Sequence, residues 1–107
     1  MVPVRIEDLE NYALNNNIPI MQKDGIEFLT RYIKANNIKN ILEIGSAIGY
    51  SAIKMALVDK DIKVTTIERD TLRYNIAVDN INKFNLSDRI NIINDDALNI
   101  ELLVNMI

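Results

Sequence analysis

From residue 40 onward, short β-branched runs alternate with segments of helical period, and few folds accommodate that alternation. Asn40–Ile44 (NILEI) reads as a short apolar strand. Residues 48 to about 58 set Ile53, Ala56 and Leu57 on one helical face. Lys63–Glu68 (KVTTIE) is rich in β-branched residues and reads as a second strand. Asp70 is placed to cap a helix running to about residue 84, with Leu72, Ile76, Ala77, Ile81 and Phe84 on its apolar side. Asn85-Leu86-Ser87-Asp88 is a turn, 89–94 a third strand, and 97–106 the expected start of another helix. Strands joined through single helices by short connections form a parallel sheet with right-handed crossovers. The expected class is therefore α/β.

Two helices precede this unit. Ile6, Leu9, Ala13 and Leu14 recur at helical spacing before Asn15-Asn16-Asn17, and asparagine competes with helix for backbone hydrogen bonds. Ile18-Pro19-Ile20-Met21 is expected to be extended. Asp24 is the expected cap of the second helix, Ile26, Leu29 and Ile33 its inner face, and Asn36-Asn37 its end. With 107 residues and no linker, the reading is one domain, 1–38 supplying the leading helices and 39–107 the strand–helix unit.

Composition removes several chemistries. A net charge of −3 offers no overall basic character for nucleic acid. Without cysteine there is no disulfide or thiolate metal site, which suits a reducing cytoplasm. Without histidine the commonest general base and transition-metal ligand are missing. The start, MVPVRIEDLE, is acidic and lacks the apolar stretch of a secretory signal, and no apolar run is long enough to span a membrane. No membrane partner is expected.

The chemistry concentrates where the first strand ends, in ILEIGSAIGYS (41–51). In parallel sheets ligands sit beyond the carboxyl ends of the strands. Gly45 permits a sharp turn and Gly49 a close approach to the following helix, whose N-terminus favours an anion that the Ser51 hydroxyl can also reach. Glu43 would face a cationic group such as an amine. Glu68, ending the second strand, can accept both hydroxyls of a ribose, and Asp96, past the third, an exocyclic amine. A ligand with an amine, a carboxylate, a ribose and an adenine fits all of these, and S-adenosylmethionine has them all.

Read singly, each residue has a plainer role. The glycines make a turn, Ser51 starts a helix, Glu68 and Asp96 are solvated strand ends, and Tyr50 is a packing aromatic. Glu43 resists that treatment, because a carboxylate on a buried strand is costly without a partner. A phosphate-binding loop would need lysine and then serine or threonine after the second glycine, where Tyr50-Ser51 stand. A dinucleotide fingerprint would need glycine at Ala47 and Tyr50, which leaves a nicotinamide-binding module as the alternative, beside a fragment without catalytic function.

ILEIGSAIGYSAIKMA, VTTIERD and DRINIINDDAL together resemble the class I S-adenosylmethionine-dependent O-methyltransferases of the catechol and caffeoyl-CoA type. The Gly-x-x-x-Gly-Tyr-Ser form carries the resemblance, and IPIMQKDGIEFL extends it upstream. NNIPIM and DGIEFL ahead of EIGSAIGYSAI are similar to bacterial enzymes that methylate 5-hydroxyuridine at the tRNA wobble position. The resemblance implies a Rossmann-like fold, of which this chain holds the N-terminal half: two leading helices and three parallel strands with crossover helices. It implies that Met21, through its backbone, and Ser51 meet the methionine carboxylate, and that Glu43 holds the amino group. Gly45, Ser46, Ala47 and Gly49 would line the methionine and sugar, with Tyr50 in the same loop. Glu68 would take the ribose hydroxyls, Arg69 would flank the adenine, and Asp96 and Ala97 would reach its edge.

The resemblance also implies a fourth strand ending in aspartate, a following lysine and a later Asp-Asn pair. These bind a divalent metal such as magnesium and activate the substrate hydroxyl. None has a counterpart before Ile107, and Asp95 and Asp96 are not read as metal ligands. The expectation is a cofactor-binding portion, inactive alone, of an enzyme acting on a hydroxylated substrate, tRNA or a small catechol, as a homodimer.

Overall fold

The structure is a computed structural model and describes residues 4–96. Seven elements follow one another: α1 (Ile6–Asn15), α2 (Lys23–Ala35), β1 (Asn40–Ile44), α3 (Tyr50–Ala56), β2 (Lys63–Glu68), α4 (Thr71–Lys83) and β3 (Ile90–Asn94). The three strands pair in parallel in the order β1-β2-β3. The expected helix at 97–106 lies outside the described residues. The fold is α/β with the arrangement anticipated for the N-terminal half of a Rossmann-like methyltransferase.

Register fixes which side chains share a face. Ile41, Val64 and Ile90 lie side by side, and so do Glu43, Thr66 and Ile92. Side chains alternate along a strand, so these two rows face the same way. The first row joins the core with Ile48, Ile53, Ala56 and Ile81 from the crossover segments. Because the strand order advances in one direction, right-handed crossovers put α3 and α4 on this one face. α1 and α2 then pack over α3, burying Leu9, Ala13, Ile26 and Ile33. On the opposite face Leu42 and Ile44 of β1 are exposed, and among the described residues β1 is an edge strand.

Local chemistry explains the helix limits. Asn17, Asn37 and Asn85 all take left-handed backbone conformations just after α1, α2 and α4. In each case the next apolar residue donates its N–H five residues back: Ile18 to Ala13, Ile38 to Ile33, Leu86 to Ile81. This is the Schellman closure, with asparagine in the place usually taken by glycine. Asp70 caps α4 as expected, its carboxylate accepting from the Arg73 N–H at 3.0 Å.

Five expectations need correction. α2 starts after Gln22, so Asp24 lies in its first turn instead of capping it; there its charge still complements the helix dipole. α3 is shorter than 48–58, because Gly49 in a left-handed conformation holds Ile48 outside the helix. Leu57, expected inward, is the C-cap residue, past the last buried turn, and is 50% exposed. Leu72 is 71% exposed, and Leu14 is exposed as well, because the buried stripes of α4 and α1 run through Ala77 and Ile81, and through Leu9 and Ala13.

At the amino ends of the strands, Arg89 Nη1 donates to the carbonyls of Ala56, Asp59 and Ile62 at 2.9–3.1 Å. Lys39 pairs with Asp59 at 2.6 Å. These ties hold the α3–β2 connection, leaving the opposite end of the sheet to the candidate site.

Candidate functional site

β1 does not stop cleanly at Ile44. The N–H groups of Gly45 and Ser46 both donate to the Ile67 carbonyl, at 2.8 and 3.2 Å, so the bend stays stitched to β2. Three of its five residues then have positive φ: Gly45 (88°), Ala47 (48°) and Gly49 (87°). A side chain at Ala47 makes that conformation costly, so something must hold it. Glu68 does: its Oε1 accepts from the Ala47 N–H at 2.7 Å, while its Oε2 accepts from the Asp70 N–H at 3.0 Å. One buried carboxylate thus fixes both the bend after β1 and the start of α4.

The two glycines differ. A Cβ built on Gly45 would meet nothing within 4 Å, so that turn opens onto free space. A Cβ on Gly49 would stand 3.5 Å from the backbone of Ala77. That is ordinary contact, so what calls for glycine at position 49 is the left-handed turn, with α4 packed alongside. Asn80 supports the same segment from α4, donating from Nδ2 to the Ile48 carbonyl at 2.9 Å.

Behind the bend lies Glu43. Its Oε1 accepts from Thr66 Oγ1 at 2.7 Å, and its Oε2 accepts from the Ser51 hydroxyl. Burial pushes the Glu43 carboxyl above its ordinary value; the Ser51 and Thr66 bonds pull it back in part, and the Glu68 carboxylate raises it further. It has hydroxyl donors but no cation within the described fold. Ser46 Oγ is buried and has no hydrogen-bond partner among the described residues.

In front of the bend is a cleft of about 230 Å³ lined by Ile44, Gly45, Ile67, Glu68, Arg69, Asp95 and Asp96. Its position at the carboxyl ends of parallel strands is where such sheets receive ligands. Asn94 braces its floor, donating to the Glu68 carbonyl at 2.9 Å and accepting from Thr71 Oγ1 at 3.3 Å. A larger groove of about 440 Å³ runs between α1 and α4, past Asp8, Tyr12, Asp79 and Lys83, away from the strand ends.

The structure therefore sorts the residues singled out in the sequence. Gly45, Glu68, Arg69 and Asp96 meet in the cleft. Glu43, Ser46, Ala47, Gly49 and Ser51 build the bend and its support. Tyr50 points into the core: it is 2% exposed and its hydroxyl donates to Glu10 Oε2 at 2.6 Å; burial, and after it the bond to Glu10, push its titration upward. Met21 does not line the cleft; its side chain is exposed beside Gly25. Ala97 lies outside the described residues. Thr66, Asn80 and Asn94 were not anticipated. Thr66 had a legible signal, since it alternates with Val64 and Glu68 on the inner face of β2.

The model of the O-methyltransferase family matches residues 3–106. The chain belongs to the O-methyltransferase family. It is 36% identical over 104 residues to an Arabidopsis thaliana protein assigned as a caffeoyl-CoA O-methyltransferase, a match covering 95% of this chain and 44% of that protein. A Staphylococcus aureus structure with the same assignment superposes with a TM-score of 0.90 at 38% identity, covering 95% of this chain and 49% of the other. An O-methyltransferase from Bacillus cereus, solved in complex with SAH, gives 0.83 at 27% identity, covering 100% and 51%. The chain thus spans about half the length of these three relatives. No helix among the described residues is long and apolar enough to cross a membrane.

Proposed function

We propose that this chain forms the cofactor-binding half of an enzyme that transfers a methyl group from S-adenosylmethionine to a hydroxyl oxygen. The observation that carries the reading is the pairing of two acids about one bend, Glu68 buried and Glu43 half-buried. Glu68 opens onto the cleft, and Glu43 sits behind the bend without a cation. The residues present fit the cofactor. Gly45 leaves space for it, Ser46 has an unused buried hydroxyl, and Ile44 and Ile67 offer apolar walls to a ring. Glu68 would accept the ribose hydroxyls, Arg69 and Asp96 would border the adenine, and Glu43 with Ser51 would hold the amino-acid end. Met21 would contribute through its backbone.

When bound, the cofactor supplies a sulfonium methyl open to in-line attack by oxygen. The contribution of these residues is alignment, which lowers the entropic part of the barrier. The substrate class favoured by the resemblance is a hydroxylated ring: 5-hydroxyuridine in tRNA or a small catechol. Among the described residues no three acidic side chains converge to hold a cation.

Binding is the appropriate readout for this chain. Calorimetric titration with S-adenosylhomocysteine should show saturable one-to-one binding, and NADH under the same conditions none. Preference for NADH would favour a nicotinamide module, and binding of neither would remove the reading.

A further inference from the structure

Thr66 occupies a strand position where packing alone would be met by valine, which has the same shape. Its side chain is completely buried, with Val64 before it on the same face and Glu43 and Ile92 beside it in register. A buried hydroxyl is unfavourable unless it is hydrogen-bonded. This one donates to Glu43 Oε1 at 2.7 Å. The other carboxylate oxygen of Glu43 receives the Ser51 hydroxyl. A serine hydroxyl has one proton, so Ser51 cannot donate to Glu43 and to the carboxylate of a ligand at once. Ser51, in the first turn of α3 next to the bend, must therefore release Glu43 if it is to donate to the carboxylate of an arriving amino acid end, whereas the Thr66 bond from β2 faces no such choice.

We propose that Thr66 is a positioning residue for cofactor recognition: it anchors Glu43 while Ser51 exchanges its bond to Glu43 for one to the ligand carboxylate, and the ligand ammonium takes the vacated carboxylate oxygen. This rests on the S-adenosylmethionine reading above. The exchange keeps every donor and acceptor paired before and after binding. Without Thr66, Glu43 would lose its fixed bond at the moment it must meet the ammonium group.

Titration of Thr66→Val and Thr66→Ser with S-adenosylhomocysteine and with 5′-methylthioadenosine tests this. The second ligand keeps the adenosine and the thioether but lacks the amino acid. Thr66→Val should bind S-adenosylhomocysteine about tenfold more weakly, the scale of one hydrogen bond to a charged group. Thr66→Ser should restore affinity to within about twofold, and 5′-methylthioadenosine should bind all three proteins alike. An equal loss for both ligands would make Thr66 a structural residue only and overturn the proposal, as would unchanged S-adenosylhomocysteine affinity in Thr66→Val. If valine prevents folding, Thr66→Ala makes the same comparison. If the unsubstituted chain binds neither ligand, the reading of the site fails first and this inference falls with it. If it binds both while Thr66→Val affects neither, only this inference fails.

Discussion

Glu68→Ala is expected to weaken S-adenosylhomocysteine binding by about a hundredfold. Glu68 accepts the N–H groups of Ala47 and Asp70 in addition to its proposed bonds to the ribose. Hydrogen bonds to a charged partner contribute about 1.5–3 kcal/mol each, and a hundredfold in affinity corresponds to about 2.7 kcal/mol. Losing one such ribose bond approaches that figure, water replacing part of what the other contributed. Releasing Ala47 from its left-handed conformation adds to it, because the bend then samples shapes that do not bind. Glu68→Gln separates the two contributions. Its amide has one acceptor oxygen and one NH₂, so it can serve only one of the two backbone donors, and an intermediate loss should follow. Calorimetry on variants whose circular dichroism matches the parent measures this. An affinity for Glu68→Ala within threefold of the parent would mean that the ribose lies elsewhere.

Tyr50→Ala is expected to cost about 3–5 kcal/mol of folding stability, the range for emptying a buried aromatic site. For a domain of this size that is a large part of the total. Tyr50 is among the largest fully buried side chains, and its hydroxyl ties α3 to α1 through Glu10. Tyr50→Phe keeps the ring and removes only that bond, so it should cost about 1 kcal/mol, seen as a lower midpoint in thermal or denaturant unfolding. It should also leave S-adenosylhomocysteine affinity within twofold, because the ring faces the helical layer and not the cleft. A tenfold loss of affinity in a folded Tyr50→Phe variant would place the hydroxyl at the ligand and contradict this assignment.

These two residues show what the sequence could and could not convey. Glu68 was legible because strand ends are: β-branched periodicity marks β2, and the acid stands where the strand meets the loop. Its second duty, holding Ala47 in a left-handed turn, was not, because it spans 21 residues and depends on the register between strands. Tyr50 shares the loop motif with ligand-facing residues, and sequence order carries no sign of the direction in which a side chain leaves a turn. Gly49 sets that direction by starting α3 two residues later than the apolar pattern suggested. The same limit applies to Leu57 and Leu72, whose spacing fits an inner face while their turns lie beyond it. The strands Asn40–Ile44 and Lys63–Glu68 were legible to the residue, since Asn37 before the first and the polar turns around both bound short runs without ambiguity. Thr66 and Ser51 were visible as residue types, but their convergence on one carboxylate emerges only once β1, β2 and α3 are packed.

The bend after β1 and the acid ending β2 are proposed to receive one ligand together. Titrating isotope-labelled chain with S-adenosylhomocysteine and following backbone amide resonances reads this residue by residue. The amides of Gly45, Ala47 and Arg69 should shift together along one saturation curve, while those of Tyr12 and Lys83 in the groove between α1 and α4 stay in place. Shifts confined to that groove, or saturation that leaves Gly45 and Ala47 unmoved, would contradict it.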